Sequence, residues 1–250
     1  MNTDNLFPIR VPADFQVIAH RGASAYAPEN TRPAFDLART MGSRHIETDA
    51  QLTTDGLVVL CHDRTLERYG HGPALVEQQS SAHLLSLDMG AWFDPAFAGT
   101  PMMSLDELLA DFAAHFTCHV ELKGSSPDLA RAVLDVTNRR NAIDRVIFSS
   151  FSFEQLERMR QLAPHSRLGW LVSTLDEPTL NRGRSLKLHG FNPRANALTA
   201  EQVARARSIA PSVRAWGVDG SPQEVHDLVR RAVDTGCDGT TINWPDRFAQ

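Results

Sequence analysis

The sequence predicts a (β/α)8 barrel, and three observations carry that expectation. Short apolar or β-branched runs alternate with helical periodicity over nearly the whole chain. The connections are short, as repeated strand–helix units on a parallel sheet require. About eight such units fill 250 residues, a usual length for a barrel built as one domain. The alternative is an open, doubly wound sheet, but no Gly-x-Gly-x-x-Gly follows a strand. One domain is therefore expected over 1–250, with an insertion at about 64–103, after the third strand-like segment.

The first run, Phe15-Gln16-Val17-Ile18-Ala19, reads as a buried strand over 15–20 that ends on His20-Arg21 and a Gly22 turn. Ala34, Leu37, Ala38 and Met41 then repeat at the spacing of one helix face. Strand-like runs follow at 45–52 and 57–61. The next helix carries Leu105, Leu108, Leu109 and Phe112, and Ser104-x-x-Glu107 opens it as a capping box. A strand at 118–122 precedes the stripe Leu129, Ala132, Val133 and Val136. A strand at 145–149 precedes a second capping box, Ser152-x-x-Gln155. Further strands are expected at 168–172 and, more weakly, at Gly190-Phe191-Asn192, followed by the box Thr199-x-x-Gln202. The run 213–218 leads to Ser221-Pro222-x-Glu224, where proline takes the first helical position. Val225, Leu228, Val229 and Ala232 form that helix's apolar stripe, and the last strand lies within 237–243.

Two places break the rhythm. Only Thr53-Thr54-Asp55-Gly56 separates the runs 45–52 and 57–61, too few residues for a parallel crossover. Asp-Gly suits a hairpin, whose simple register sets Asp49 opposite Cys61 and Glu47 opposite Asp63. It also reconciles nine strand candidates with eight barrel places. The second break, 64–103, has little apolar periodicity and reads as a cap near the active-site face. Its Leu84, Leu85, Leu87, Trp92 and Phe93 are expected to be buried.

The bulk composition is ordinary: 42% hydrophobic, 22% charged and a net charge of −5. With no basic stripe, nucleic acid is not an expected partner. An anionic substrate would need local cations or a metal. Three cysteines, Cys61, Cys118 and Cys237, are too few for a disulfide framework and read as buried thiols. No apolar run approaches the ~20 residues of a membrane span, so no membrane insertion is expected. The first residues show neither a basic nor an apolar signal segment, and a cytoplasmic location is expected.

The chemistry-bearing residues gather at strand ends. Glu47 and Asp49 are two apart, so both face one way. Two converging carboxylates repel unless a cation lies between them, and hard oxygen ligands suit Mg²⁺ or Ca²⁺. Glu121 offers a third ligand and Lys123, on the same face, a point charge for a phosphate. An isolated pair of this kind also fits a solvated strand edge or a salt bridge. His20 and His62 are candidates for proton removal and proton donation in phosphodiester cleavage, and Arg21 for binding phosphate oxygens. Asp63 reads as organising its turn. Glu29 either joins the site or caps the next helix, and Trp216 is either a core filler or a wall for an apolar part of a substrate.

In order along the chain, His20-Arg21-Gly22, Glu29-Asn30-Thr31, Glu47-x-Asp49, His62-Asp63, Glu121-x-Lys123 and Trp216 resemble the glycerophosphodiester phosphodiesterase family. Leu87-Asp88-x-Gly90 with Phe93, Ser150-Phe151, Asp238-Gly239 and Pro245-Asp246 extend the likeness over roughly 15–248. The resemblance implies a barrel, and a divalent metal on Glu47, Asp49 and Glu121. It implies His20 and His62 as the acid/base pair, Arg21 and Lys123 on the phosphate, and Glu29 in support. It further implies cleavage of small-molecule glycerophosphodiesters to sn-glycerol 3-phosphate and an alcohol. Alternatives are a lysophospholipase D, though no amphipathic basic helix offers a membrane-facing surface, and a non-catalytic phosphodiester-binding barrel. Three positions depart from the family: Gly124 where proline is common, Gly217 and Asp219 where Thr and Asn are common, and Asn243 where aspartate is common. None of the three is expected to touch the metal or histidine sets.

Overall fold

A computed structural model describes residues 6–249 and shows a closed barrel of eight parallel strands. After a two-residue strand β1 (Ile9–Arg10), the barrel begins with β2 (Gln16–His20), helix α1 (Arg32–Thr40) and β3 (His45–Leu52). β4 (Val58–Leu60) is not a barrel strand; it pairs antiparallel with β3, Ala50 opposite Leu60 and Leu52 opposite Val58. A short helix α2 (Ser81–Leu84) interrupts the insertion before α3 (Leu105–Phe112). The alternation then runs β5 (Thr117–Leu122), α4 (Leu129–Arg139), β6 (Val146–Ser150), α5 (Phe153–Leu162), β7 (Leu168–Val172) and α6 (Glu177–Ser185). It continues with β8 (Gly190–Pro193), α7 (Ala200–Arg207), β9 (Ser212–Val218), α8 (Pro222–Asp234) and β10 (Gly239–Ile242). β10 pairs with β2 and closes the ring, while β11 (Phe248–Ala249) pairs with β1 outside it.

The hairpin expectation holds in register: Cys61 N–H donates to the Asp49 carbonyl at 2.9 Å. The ladder stops there, so Glu47 and Asp63 are not cross-strand partners. Alternation along each strand sorts side chains between two environments. On β3, Ile46 and Ala50 join the apolar layer under the helices, while Glu47 faces the cavity. Between barrel and helices lies one continuous core, in which Phe35 and Phe112 meet at 5.8 Å.

Three of the four expected capping boxes are complete, at Ser104, Thr199 and Ser221. At Ser152 only half forms: its side chain accepts from Gln155 N–H, but the Gln155 amide turns inward to the carbonyls of Gly124 and Ser126. Two backbone carbonyls in a buried loop outcompete an already half-satisfied cap.

The insertion packs its own small core of Leu66, Tyr69, Val76, Leu84, Met89 and Met102 against Val59 and Cys61. Leu87 and Trp92 pack on its edge, and Phe93 is half-buried against Trp92. Leu85 departs from expectation. It is 38% exposed because it follows the one-turn helix α2, whose single buried position is taken by Leu84. The insertion also clamps the barrel. Glu77 accepts from the N–H groups of Ser125 and Ser126, and a Cβ on Gly124 would lie 2.4 Å from its Oε1. Among the described residues, no helix is long and apolar enough to cross a membrane, and all three cysteines are buried and free.

Candidate active site

A cavity of about 300 Å³ opens at the C-terminal ends of the strands, the face where barrel enzymes collect their reactive groups. His20, Arg21, Glu47, His62, Glu121, Lys123 and Trp216 all line it. Asp49 and Glu29 lie immediately behind, each paired with Arg21.

The turn after β2 is wound around Arg21, which adopts φ 54°. This left-handed conformation is costly for an arginine and is held by contacts on every side. Its N–H donates to Glu47 Oε2 at 3.2 Å and its carbonyl accepts Asn30 N–H at 3.0 Å. Its guanidinium reaches Glu29 Oε2 at 2.9 Å and Asp49 Oδ2 at 3.1 Å. Gly22, at φ 84°, lets this turn approach α1, since a Cβ there would lie 2.6 Å from the Ala34 backbone. Asn30, also left-handed, donates to Asp49 Oδ2 at 3.0 Å and accepts from Thr48 Oγ1 at 2.8 Å. Glu29 therefore belongs to the site and not to the cap of α1, whose N-cap Thr31 makes no side-chain cap bond.

Carboxylate oxygens of Glu47, Asp49 and Glu121 lie within 4.8 Å of one another, and all three residues are buried. Burial and mutual repulsion push Glu47 far above the ordinary carboxylate range, and Glu121 up to about 7. Burial acts the same way on Asp49, but Arg21 and Lys123 outweigh it and hold this carboxyl low. Lys123 Nζ stands 3.6 Å from Asp49 and 3.3 Å from Glu121. In the wider network five carboxylates (Glu29, Glu47, Asp49, Asp63 and Glu121) face three permanent cations, Arg21, Arg68 and Lys123. A hard divalent cation fits this donor set: all-oxygen, convergent and short of positive charge.

The two imidazoles line the cavity and are fixed through Nδ1, and His20 Nε2 stands 3.8 Å from Glu47 Oε2. His20 Nδ1 lies 2.6 Å from Asn243 Oδ1, which also accepts from Ser24 Oγ. His62 Nδ1 lies 2.7 Å from Asp63 Oδ1. Asn243 thus touches the histidine set directly, against expectation. β10 ends one residue earlier, beside β2, and points this side chain at His20. Burial and the neighbouring Arg21 press His20 down to about 4. Burial also lowers His62, though Asp49 and the Asp63 hydrogen bond oppose the shift.

Asp63 does more than shape a turn. Arg68, from the insertion, donates to Asp63 Oδ2 at 2.7 Å and to Glu29 Oε1 at 2.5 Å, and Tyr69 Oη donates to the same Glu29 oxygen at 3.0 Å. Buried Gln51 holds the backbone around His62 by donating to the carbonyls of Cys61 and Asp63. Sequence reasoning passed over Arg68, Tyr69 and Gln51. The one local signal was Arg68 following Asp63 by five residues, close enough to fold back onto it.

The opposite side of the cavity is different. Trp216 is a wall and not a core filler: half-buried, it donates Nε1–H to the Val172 carbonyl at 3.1 Å. Phe151, 44% exposed, meets it edge-on with ring centres 5.0 Å apart. Leu171, Asn192 and Val218 complete that side.

Residues 20–247 match the model of the glycerophosphoryl diester phosphodiesterase family. A glycerophosphodiester phosphodiesterase of Caldanaerobacter subterraneus subsp. tengcongensis is 30% identical over 237 residues, covering 92% of this chain and 94% of its own. One from Bacillus subtilis is 28% identical over 258 residues, covering 95% and 86%. Among solved structures, an Oleispira antarctica phosphodiesterase in complex with the product sn-glycerol-3-phosphate superposes with a TM-score of 0.84, at 26% identity over 94% of each chain.

Proposed function

We propose that this chain, which belongs to the glycerophosphoryl diester phosphodiesterase family, hydrolyses glycerophosphodiesters to sn-glycerol 3-phosphate and an alcohol, with His20 and His62 moving the protons. The observation that carries this reading is the juxtaposition of three buried, convergent carboxylates with two imidazoles anchored at Nδ1. Glu47, Asp49 and Glu121 would hold a divalent cation, Mg²⁺ or Ca²⁺. When bound, it polarises the phosphoryl oxygens and offsets charge developing on them. Lys123 and Arg21 supply further positive charge along the same edge. Both are held in place by carboxylates, Arg21 by Asp49 and Lys123 by Asp49 and Glu121.

The histidines differ in backing, and the difference supports distinct roles for them. His20 rests on a neutral amide and is held unprotonated, which suits accepting a proton from the attacking oxygen nucleophile. His62 rests on the Asp63 carboxylate, which works against the lowering by burial and favours protonation relative to the amide behind His20, as suits giving a proton to the departing alcohol. Trp216 and Phe151 receive an ester arm of the substrate.

The test is release of sn-glycerol 3-phosphate from glycerophosphocholine by metal-stripped protein, before and after Mg²⁺ or Ca²⁺ is restored. Metal-restored release supports the reading. No release from this or other glycerophosphodiesters under either metal rejects it.

A further inference from the structure

Below the carboxylates, the same cavity reaches a cation that the hydrolysis does not use. Arg214 lies on β9 two residues before Trp216, one inward-facing position deeper in the barrel, and is 2% exposed. Its Nη1 approaches the His119 ring at 3.2 Å. Its Nε and Nη2 have no hydrogen-bond partner among the described residues. Asp238, the acidic group that acts on it electrostatically, is already engaged by Arg207 at 2.9 Å and by Val213 N–H at 2.7 Å. A buried guanidinium with two unmet donors and no carboxylate partner is costly unless an anion completes it.

The cavity reaches this arginine, and Arg214 and His119 both line its floor. Beside Nη2, β8 presents Gly190, whose missing side chain gives the guanidinium its place: a Cβ there would stand only 3.2 Å from that nitrogen. Asn192, whose Oδ1 also lacks a partner among the described residues, and Ser149 line the cavity at this depth. Burial and the charge of Arg214 hold His119 well below its ordinary range, so it stands neutral beside the arginine.

We propose that Arg214 is the centre of a second anion subsite on the floor of the reaction cavity. It takes an oxyanion, a carboxylate or phosphate carried on one ester arm of the diester, or the same group as a free ion. The depth is suitable: successive inward positions on a strand are ~6.6 Å apart, a span that a carboxylate on the second carbon of an ester arm can bridge from the scissile phosphate. This rests on the hydrolase reading above, and the test separates the two.

Glycerophosphoserine and glycerophosphoethanolamine differ by one carboxylate. The wild-type protein with Mg²⁺ is expected to favour the serine diester in kcat/KM. Arg214→Met should lower that preference about tenfold or more, the size of a lost charge-assisted hydrogen bond, and Arg214→Lys should keep part of it. In parallel, melting is followed with added inorganic phosphate. Phosphate that stabilises wild type but not Arg214→Met, with no change in substrate preference, assigns the subsite to a free oxyanion. Neither effect, in Met and Lys variants that both fold, overturns the subsite while leaving the hydrolase reading intact. Wild type that cleaves neither diester removes the hydrolase reading and the substrate-borne assignment with it.

Discussion

Strands β2, β3 and β5 give the cavity one wall of ionisable groups: His20, Glu47, Asp49, Glu121 and, just beyond β5, Lys123. Strands β6 to β9 face it with Ser149, Leu171, Asn192 and Trp216, with Phe151 just past the end of β6. The charged wall is crowded and cross-braced, so each side chain has at least one ionic or hydrogen-bonded neighbour that fixes it. The other wall is loose by comparison, with an exposed Phe151 ring and an Asn192 oxygen without a partner among the described residues. The contrast teaches that order is unevenly spread around the cavity: one wall is braced into fixed geometry, and on the reading proposed above the other is left to accept a variable arm.

If that division is sound, substitutions on the two walls should fail in different ways. The largest effect belongs to the convergent carboxylates. Glu121→Ala should abolish measurable metal binding in a titration and cut kcat by at least about a thousandfold, as both a ligand and preorganised charge are lost. Next come the imidazoles: His20→Ala and His62→Ala should each lower kcat by about 10²–10⁴ while metal affinity is kept. Near-normal turnover in either variant would sink that residue's assignment. Asp63→Asn, which keeps the shape but removes the charge behind His62, should cost about 10- to 100-fold in kcat with KM little changed. On the other wall, Trp216→Ala should raise KM about tenfold and spare kcat, in keeping with lost aromatic contact to an ester arm. A kcat collapse there would erase the distinction between the walls.

The smallest effect is on stability against pH, where Glu121 of the charged wall opposes the buried histidines. His20, His45 and His189 are held at about 4 in the fold, chiefly by burial, against 6.5 in the unfolded chain. Between pH 6.5 and 4 the unfolded state takes up protons that the fold refuses, so stability is lost as the pH is lowered. Glu121, held up at about 7 without a metal, acts oppositely: the fold already holds a proton that the unfolded chain lacks. A bound cation keeps that carboxylate ionised and cancels the offset. The melting temperature should therefore drop more steeply with acid for the metal-loaded protein than for the stripped one, as calorimetry across pH 7 to 4 can show.

Much of the charged wall was legible in the sequence because its parts are local. Glu47-x-Asp49 and Glu121-x-Lys123 put two groups on one strand face by period alone, and Thr53 to Gly56 fixed the hairpin register that the ladder of β3 and β4 confirms. Even the faint strand at Gly190-Phe191-Asn192 formed, as β8; its glycine weakened the pattern because that position must stay empty beside Arg214. What escaped were partnerships across large sequence gaps: Asn243 with His20, Gln51 with the carbonyls flanking His62, Glu77 with the loop after Lys123. Arg214 was hidden differently. Strand period sets it on the same face as Trp216, but its want of a carboxylate partner shows only in the closed fold.

The grip of Glu77 on Ser125 and Ser126 bears on what the insertion does for the barrel. A loop that follows Lys123 with glycine lacks the rigidity a proline would give it, and the insertion braces it from outside. A side chain at 124 would press on the end of the Glu77 side chain, which could turn aside only by loosening its hold on Ser125 and Ser126. The insertion is thus half of a lock whose other half stays in the barrel, and removing it would loosen the rim beside Lys123 as well as uncover the cavity.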